Sequence, residues 1–425
     1  MEPRAVAQKQ SRAEASPVAR VENPGSGGSI PASESGPRLD RRGFLELVGV
    51  GVGTLAVAGA AGLTWKAVDG GVFASGTGPA YAAWDALGAP TGDALALVSA
   101  AILASNAHNT QPWRFRVATD RIDLFADTTR TIGAMDPLRR ELDLSLGCAL
   151  ENLVLAGPAN GKTTSVTLLP EAGDATHVAR IDLADAVTPV SPLYAVLGER
   201  HTNRGAYDTR RRVSQVQLDT WGALVGGVGA ELVWFTSDAA KAAFGDLTLR
   251  ATQAIIADRE QSADDYAWYR SSWDEIQAKK DGITIDPSGQ GPLIRALSKL
   301  VPVSQQQNND GWLTGMRTTQ VPTAAAFGVI VVRDAADRAV RLDAGRSWQR
   351  MHLAATADGL ALQPLCQVPE RIDREQSAAL PREFTTAMAA LLPAGTRPIM
   401  SFRIGYPTRG ALRSPRRPAR DVLMI

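Results

Sequence analysis

Asp143-Leu144-Ser145-Leu146-Gly147-Cys148-Ala149-Leu150-Glu151-Asn152-Leu153 decides how this chain is read. Its apolar residues fall on nearly every side of a 3.6-residue period. The spacing therefore predicts a helix over 142–156 that is covered all round and central. The segment also has an echo. At a fixed offset of 198, Leu144, Gly147, Leu155 and Ala156 meet Leu342, Gly345, Leu353 and Ala354, in or beside a second helix predicted over 345–360. Two copies of a central helix in one chain are what a fused dimer needs.

Helices and strands alternate outward from this pair. An amphipathic helix over 94–105 and a strand pair at 113–117 and 121–125 precede the first central helix, and strands at 165–169 and 179–183 follow it. These elements give a first half over 86–190. The second half, 191–425, has helices over 216–225 and 239–258 with a strand at 230–235 between them, and Ser214 as N-cap of the first. Strands at 327–332 and 399–405 frame the second central helix. A stretch at 259–320 has no partner in the first half. Its Tyr266, Trp268, Tyr269 and Trp273 suit helices forming a cover, with packing on a distant surface as the alternative.

The 425 residues are 44% apolar with a net charge of +1, enough for two modules and without the basic stripe that nucleic acid demands. Two cysteines, Cys148 and Cys366, exclude a disulfide framework or a Cys-rich metal site. The four histidines show no ligand spacing, so no metal is expected. Gly157-Pro158-Ala159-Asn160-Gly161-Lys162-Thr163 is one residue short of a phosphate-binding P-loop and reads as a helix end.

Residues 1–39 are rich in Pro, Ser, Gly and charge and are expected to be disordered. Over 40–82, Asp40-Arg41-Arg42-Gly43-Phe44-Leu45 and the soft apolar run to Leu63 read as a twin-arginine export signal. The chain is then exported by the Tat machinery. Ala80-Tyr81-Ala82 is a cleavage candidate; an uncut segment would instead tether the protein to the membrane.

Three polar segments carry chemistry: Ser105-Asn106-Ala107-His108-Asn109-Thr110-Gln111-Pro112-Trp113, then Arg200-His201-Thr202-Asn203-Arg204, and Gly405-Tyr406-Pro407 with Ser414-Pro415-Arg416-Arg417-Pro418. Together with the 143–153 segment they resemble the nitroreductase family of FMN flavoproteins, over about 86–425. The motif order departs from the usual one, since Asn-x-Gln-Pro-Trp lies in the first half and both Arg motifs in the second. With the export signal, this is similar to the Acg-type subgroup. The resemblance implies an α+β nitroreductase-like fold: two fused half-modules, each with a mainly antiparallel sheet and a central helix, forming an intrachain pseudo-dimer. One FMN site per chain follows, and no oligomer is required.

Within that resemblance, Arg200 and Arg416 are the phosphate clamps, with Arg417 as the alternative register, because arginine's planar fork suits paired bonds to phosphate. Thr202 donates a hydroxyl, Arg204 faces the flavin pyrimidine, and Asn106, His108 and Asn109 line the flavin from the other half. The chemistry resides on the flavin, so no catalytic side chain is expected. The activity implied is an NAD(P)H-dependent oxidoreductase passing electrons to nitro or quinone acceptors. The alternative is an exported FMN-sequestering protein whose insertion lies over the flavin as a lid.

Overall fold

Gly147 and Gly345 sit where two long helices cross, and the whole architecture is arranged about that crossing. The computed structural model describes residues 75–87, 93–225, 229–300 and 303–424. The expectations for residues 1–39, and for Arg41-Arg42 with its apolar run, lie outside the described residues.

The first half runs through α1 (Ala94–Ala101), β1 (Trp113–Val117), β2 (Arg121–Ala126), α2 (Arg140–Ala159), β3 (Lys162–Leu168) and β4 (His177–Asp185). The second half opens with α3 (Gln215–Gly222), β5 (Ala230–Phe235) and α4 (Asp238–Ala257). Next come α5 (Arg259–Tyr266), β6 (Tyr269–Arg270), α6 (Trp273–Lys279), β7 (Ile283–Thr284), α7 (Pro292–Leu300) and α8 (Gln305–Gly315). The chain closes with β8 (Ala326–Val332), α9 (Arg338–Ala357), β9 (Ala361–Pro364), α10 (Gln367–Ser377), α11 (Glu383–Ala389) and β10 (Arg397–Gly405).

Two four-stranded sheets result, ordered β1-β2-β4-β3 and β5-β8-β10-β9, with every neighbouring pair antiparallel. The orders correspond strand for strand. In each half the strand before the central helix pairs with the last strand, and the strand after the helix takes the edge. The halves differ at one connection. A short turn at 118–120 joins β1 to β2, whereas α4 and the whole insertion lie between β5 and β8.

The helix crossing explains the matched glycines. A Cβ on Gly147 would stand 2.1 Å from the Leu342 carbonyl oxygen, and one on Gly345 would stand 2.2 Å from that of Leu144. Each glycine thus meets the partner of the other, the reciprocity of a two-fold interface within one chain. Polar groups hold the same seam. Asp143 pairs with Arg338 at 3.0 Å, Glu151 with Arg346 at 2.8 Å and Arg350 at 2.9 Å, and Gln349 donates to Asn152 at 2.7 Å.

β8 shows why the second half is thicker. Ala326, Ile330 and Val332 pack into the core around the central helices, while Phe327, Val329 and Val331 pack with Phe244, Leu247 and Ile372 of α4 and α10. Side chains alternate across a strand, so a strand buried on both faces reads as one continuous apolar run.

Several boundaries move. α9 begins at Arg338, capped by Asp337, because its charged first turns lie on α2 and the 138–143 segment rather than in solvent. β9, α10 and α11 were not anticipated. Ser214 caps α3 in a full capping box with Gln217. α2 runs through Pro158 and ends at Asn160 and Gly161, which takes φ +69° before β3. The first half also starts before residue 86. Ala80 and Tyr81 are buried, Ala80 N–H donates to Gln277 at 2.8 Å, and its carbonyl accepts from Arg416 N–H at 2.7 Å. The Ala80-Tyr81-Ala82 cleavage candidate is therefore part of the folded body.

Candidate functional site

The loop between α1 and β1 bends through three left-handed residues, His108 (φ 47°), Asn109 (φ 55°) and Gln111 (φ 53°). Such conformations cost energy for residues with a Cβ and persist only when neighbours fix them. Here the fixing bonds come from both halves. Asn106 Oδ1 accepts from Gln111 N–H at 2.8 Å, and Ala107 N–H donates to Ser145 on α2 at 3.0 Å. Gln111 Nε2 donates to the Lys280 carbonyl at 2.8 Å, and Gln111 Oε1 accepts from Arg417 N–H at 2.8 Å. His108 Nε2 meets Asp265 of α5 at 2.7 Å. Burial alone would lower the His108 pKa, but the hydrogen bond and charge of Asp265 outweigh it and raise it.

Beside this loop lies a niche lined by Trp84, Asn106, Asn109, Arg200, His201, Thr202, Arg204 and Arg416. Arg200 is 2% and Arg416 4% exposed, yet neither meets a carboxylate among the described residues. Arg200 donates to the Leu103 carbonyl at 3.0 Å. Arg416 donates to the carbonyls of Ala104 at 3.2 Å and Pro415 at 3.0 Å and to Asn109 Oδ1, with its guanidinium 5.1 Å from the centre of the Trp84 ring. Among the described residues the Nε–H of each has no partner. Burial pulls Arg200 down to about 10 and Arg416 well below the arginine range, the latter helped by the charge of Arg200. Burial and both guanidiniums press His201 down to about 3, so it is neutral at physiological pH. Two buried cations without an acid are strongly unfavourable alone. A dianionic phosphate would satisfy both, and the donor set fits one.

Thr202, Arg204, Ser105 and Asn106 are shared with a larger cavity of about 650 Å³. Its walls come from the first half (His108, Glu141, Leu144, Cys148), the second half (Gln363, Cys366, Gln367, Glu370) and the insertion (Tyr269, Ile283, Trp312). Arg204 lies between niche and cavity; burial and then the charge of Arg403 lower its pKa.

The structure thus gathers Arg200, Thr202, Arg204, Arg416, Asn106, His108 and Asn109 around one site. Asn109 does so mainly as a strut, donating to the Pro415 carbonyl at 2.9 Å and accepting from Arg416. Arg417 is not among them. Its guanidinium donates to the Gln111 carbonyl at 2.7 Å and braces the loop from behind, which assigns the niche to Arg416. Of the four insertion aromatics expected over the cavity, only Tyr269 lines it. Trp268 donates to the Thr131 carbonyl at 3.0 Å and packs with Ile132 and Met135; Trp312 lines the cavity instead. Glu141, Glu370 and Gln367 were missed, because charged and amide residues on helices read as solvated faces.

Fold and site define a fused two-module α+β protein with an interface cavity and a buried cationic niche. No protein-family model matches the chain. The provisionally named NAD(P)H nitroreductase Rv3131 of Mycobacterium tuberculosis is 28% identical over 353 residues, covering 77% of this chain and 89% of that protein. The provisionally named nitroreductase acg of the same organism is 36% identical over 89 residues, 21% of this chain and 27% of its own. Among solved structures, a Bacteroides fragilis nitroreductase with bound FMN aligns at 13% identity over 53% of this chain and 92% of its own, with a TM-score of 0.31. The FMN- and NADPH-dependent nitroreductase NfnB from a Sphingopyxis strain aligns at 16% identity over 55% of this chain and 99% of its own, with a TM-score of 0.35. Over most of its length the chain is thus similar to a protein named as a nitroreductase.

Proposed function

We propose that this chain binds one FMN per polypeptide and works as a nicotinamide-dependent flavin oxidoreductase. The observation that carries the reading is the pair of buried, acid-free guanidiniums of Arg200 and Arg416, which suits a phosphate monoester. Arg200 and Arg416 would hold the phosphate, with the Thr202 hydroxyl beside them. Arg204, which forms no ion pair among the described residues, would favour negative charge on the pyrimidine edge of the ring. Asn106 and His108 would line the ring from the first half. Bound FMN would supply two-electron chemistry between a reduced nicotinamide and a nitro or quinone acceptor.

Released-flavin absorbance against protein concentration tests the cofactor, and anaerobic titration with reduced nicotinamide tests the activity. A colourless protein that takes up no FMN would overturn the reading.

The insertion favours a second reading. Tyr269, Ile283 and Trp312 bring part of the cavity wall from a segment with no counterpart in the first half. As a lid it would slow turnover, and the protein would then store FMN rather than use it. Rapid bleaching by dithionite together with slow bleaching by nicotinamide would favour storage. We also propose export on the strength of Arg41-Arg42; replacing both with Lys keeps the charge and should leave folded protein in the cytoplasmic fraction.

A further inference from the structure

One wall of the cavity is not used by this reading. Glu141, at the start of α2, and Glu370, on α10, both line the cavity while 7% and 5% exposed, and the charge of Glu141 bears on the Glu370 carboxyl. Two carboxyls buried on one wall are costly to ionise together. Arg140 donates to Glu141 Oε1 at 3.1 Å but turns its other nitrogens to Asp373 at 2.7 Å and the Ile399 carbonyl at 2.8 Å. Among the described residues nothing donates to Glu370.

A second observation lies one helical turn away. Gln367 is 5% exposed and lines the same wall. Its amide nitrogen points to the Met316 thioether at 3.6 Å; sulfur there can only accept, so the amide oxygen is the atom left without a partner. This part of the wall therefore presents acceptors and lacks donors.

The charged groups around the pair do not correct the imbalance. Asp136 in the preceding loop, Asp373 on α10 and Asp265 on α5 are acids; Asp265 is matched by His108, leaving Arg140 as the cation close to the pair. Burial, then the charge of Glu141, holds Glu370 well above the carboxylate range and Asp136 at about 7, so Glu370 keeps its proton at neutral pH. Trp312, Trp348 and Met135 supply flat and polarizable surface in the same cavity.

We propose that this wall is a subsite for a cation, an amidinium or protonated amine on a flat apolar body, seated against Glu141, Glu370 and the Gln367 amide oxygen. The subsite names the ligand class of the site proposed above. It rests on that reading for its meaning in turnover, and the binding itself needs no flavin.

Calorimetric titration of the full-length protein with benzamidine, flavin content being measured separately, tests it. Benzamidine should bind with release of about one proton, seen as a heat that varies with the ionisation enthalpy of the buffer. The neutral isostere benzamide should bind more weakly by about tenfold or more. Glu370→Gln keeps the shape; it should abolish proton release and weaken benzamidine by about tenfold. Glu141→Gln should do the same, and serves if the first variant melts low. Equal binding of benzamide and benzamidine, or unchanged affinity and proton release in both variants, would overturn the subsite. Protein that takes up no FMN yet binds benzamidine this way would count against the cofactor reading alone.

Discussion

Arg416 and Arg417 are neighbours in sequence with opposite surroundings, and the difference makes a sharp prediction. Arg416→Ala should weaken FMN binding by about 2–4 kcal/mol, because it removes a desolvated charge from its anion. Arg417→Ala should leave affinity nearly unchanged but lower the melting temperature, since it strips the brace from Gln111. Arg420, 83% exposed, is the control whose replacement should change neither. Equilibrium binding followed by flavin fluorescence separates the three. The sequence showed that arginines gather here, but which one turns inward depends on carbonyls contributed by a distant loop. Glu370 illustrates the opposite difficulty. In Glu370-Arg371-Ile372-Asp373-Arg374-Glu375 the charges look solvated, yet Glu370, Arg371, Asp373 and Glu375 are buried by surroundings no local pattern displays.

The central helices make their own prediction at the scale of the element. Gly147→Ala or Gly345→Ala places a methyl against a backbone carbonyl, which cannot rotate away, so α2 and α9 must separate. Overpacking of this kind costs about 1–3 kcal/mol and should be read as lost denaturant midpoint at constant slope. The glycines, the doubly buried β8 and the alternating start of β1 were legible because period and apolar content agree. β9 has four residues and no distinctive pattern, and α10 hides its burial behind charge. A further prediction concerns α5, held to the 105–112 loop by His108 and Asp265. The raised His108 pKa means this tether contributes fully below about pH 6.5, the unfolded value, and is lost as pH rises through the folded one. Hydrogen exchange across 259–285, corrected for intrinsic rates, should therefore accelerate with rising pH. Asp265→Asn should remove that dependence.

At the scale of the whole molecule, the two sheets share one strand order, yet the cationic niche among the described residues is asymmetric, with Arg200 and Arg416 from the second half and Asn106 from the first. One FMN per 45 kDa chain is expected, and a ratio near two would contradict the arrangement. Because the halves are covalently joined, FMN affinity should not change on dilution over a range that separates weak dimers. The covalent joining reaches further than the binding constant. In a homodimer every substitution is made twice, once at each symmetry-related position, so neither site can change without the other. Here residue 147 and residue 345 are separate letters of one gene, and so are the short turn at 118–120 and the long insertion that stands in its place. The reciprocity at the helix crossing keeps the two-fold relation, while everything beyond it is free to specialise: the second half carries both the arginines of the niche and the insertion that walls the cavity, and the first half supplies the loop against which they close.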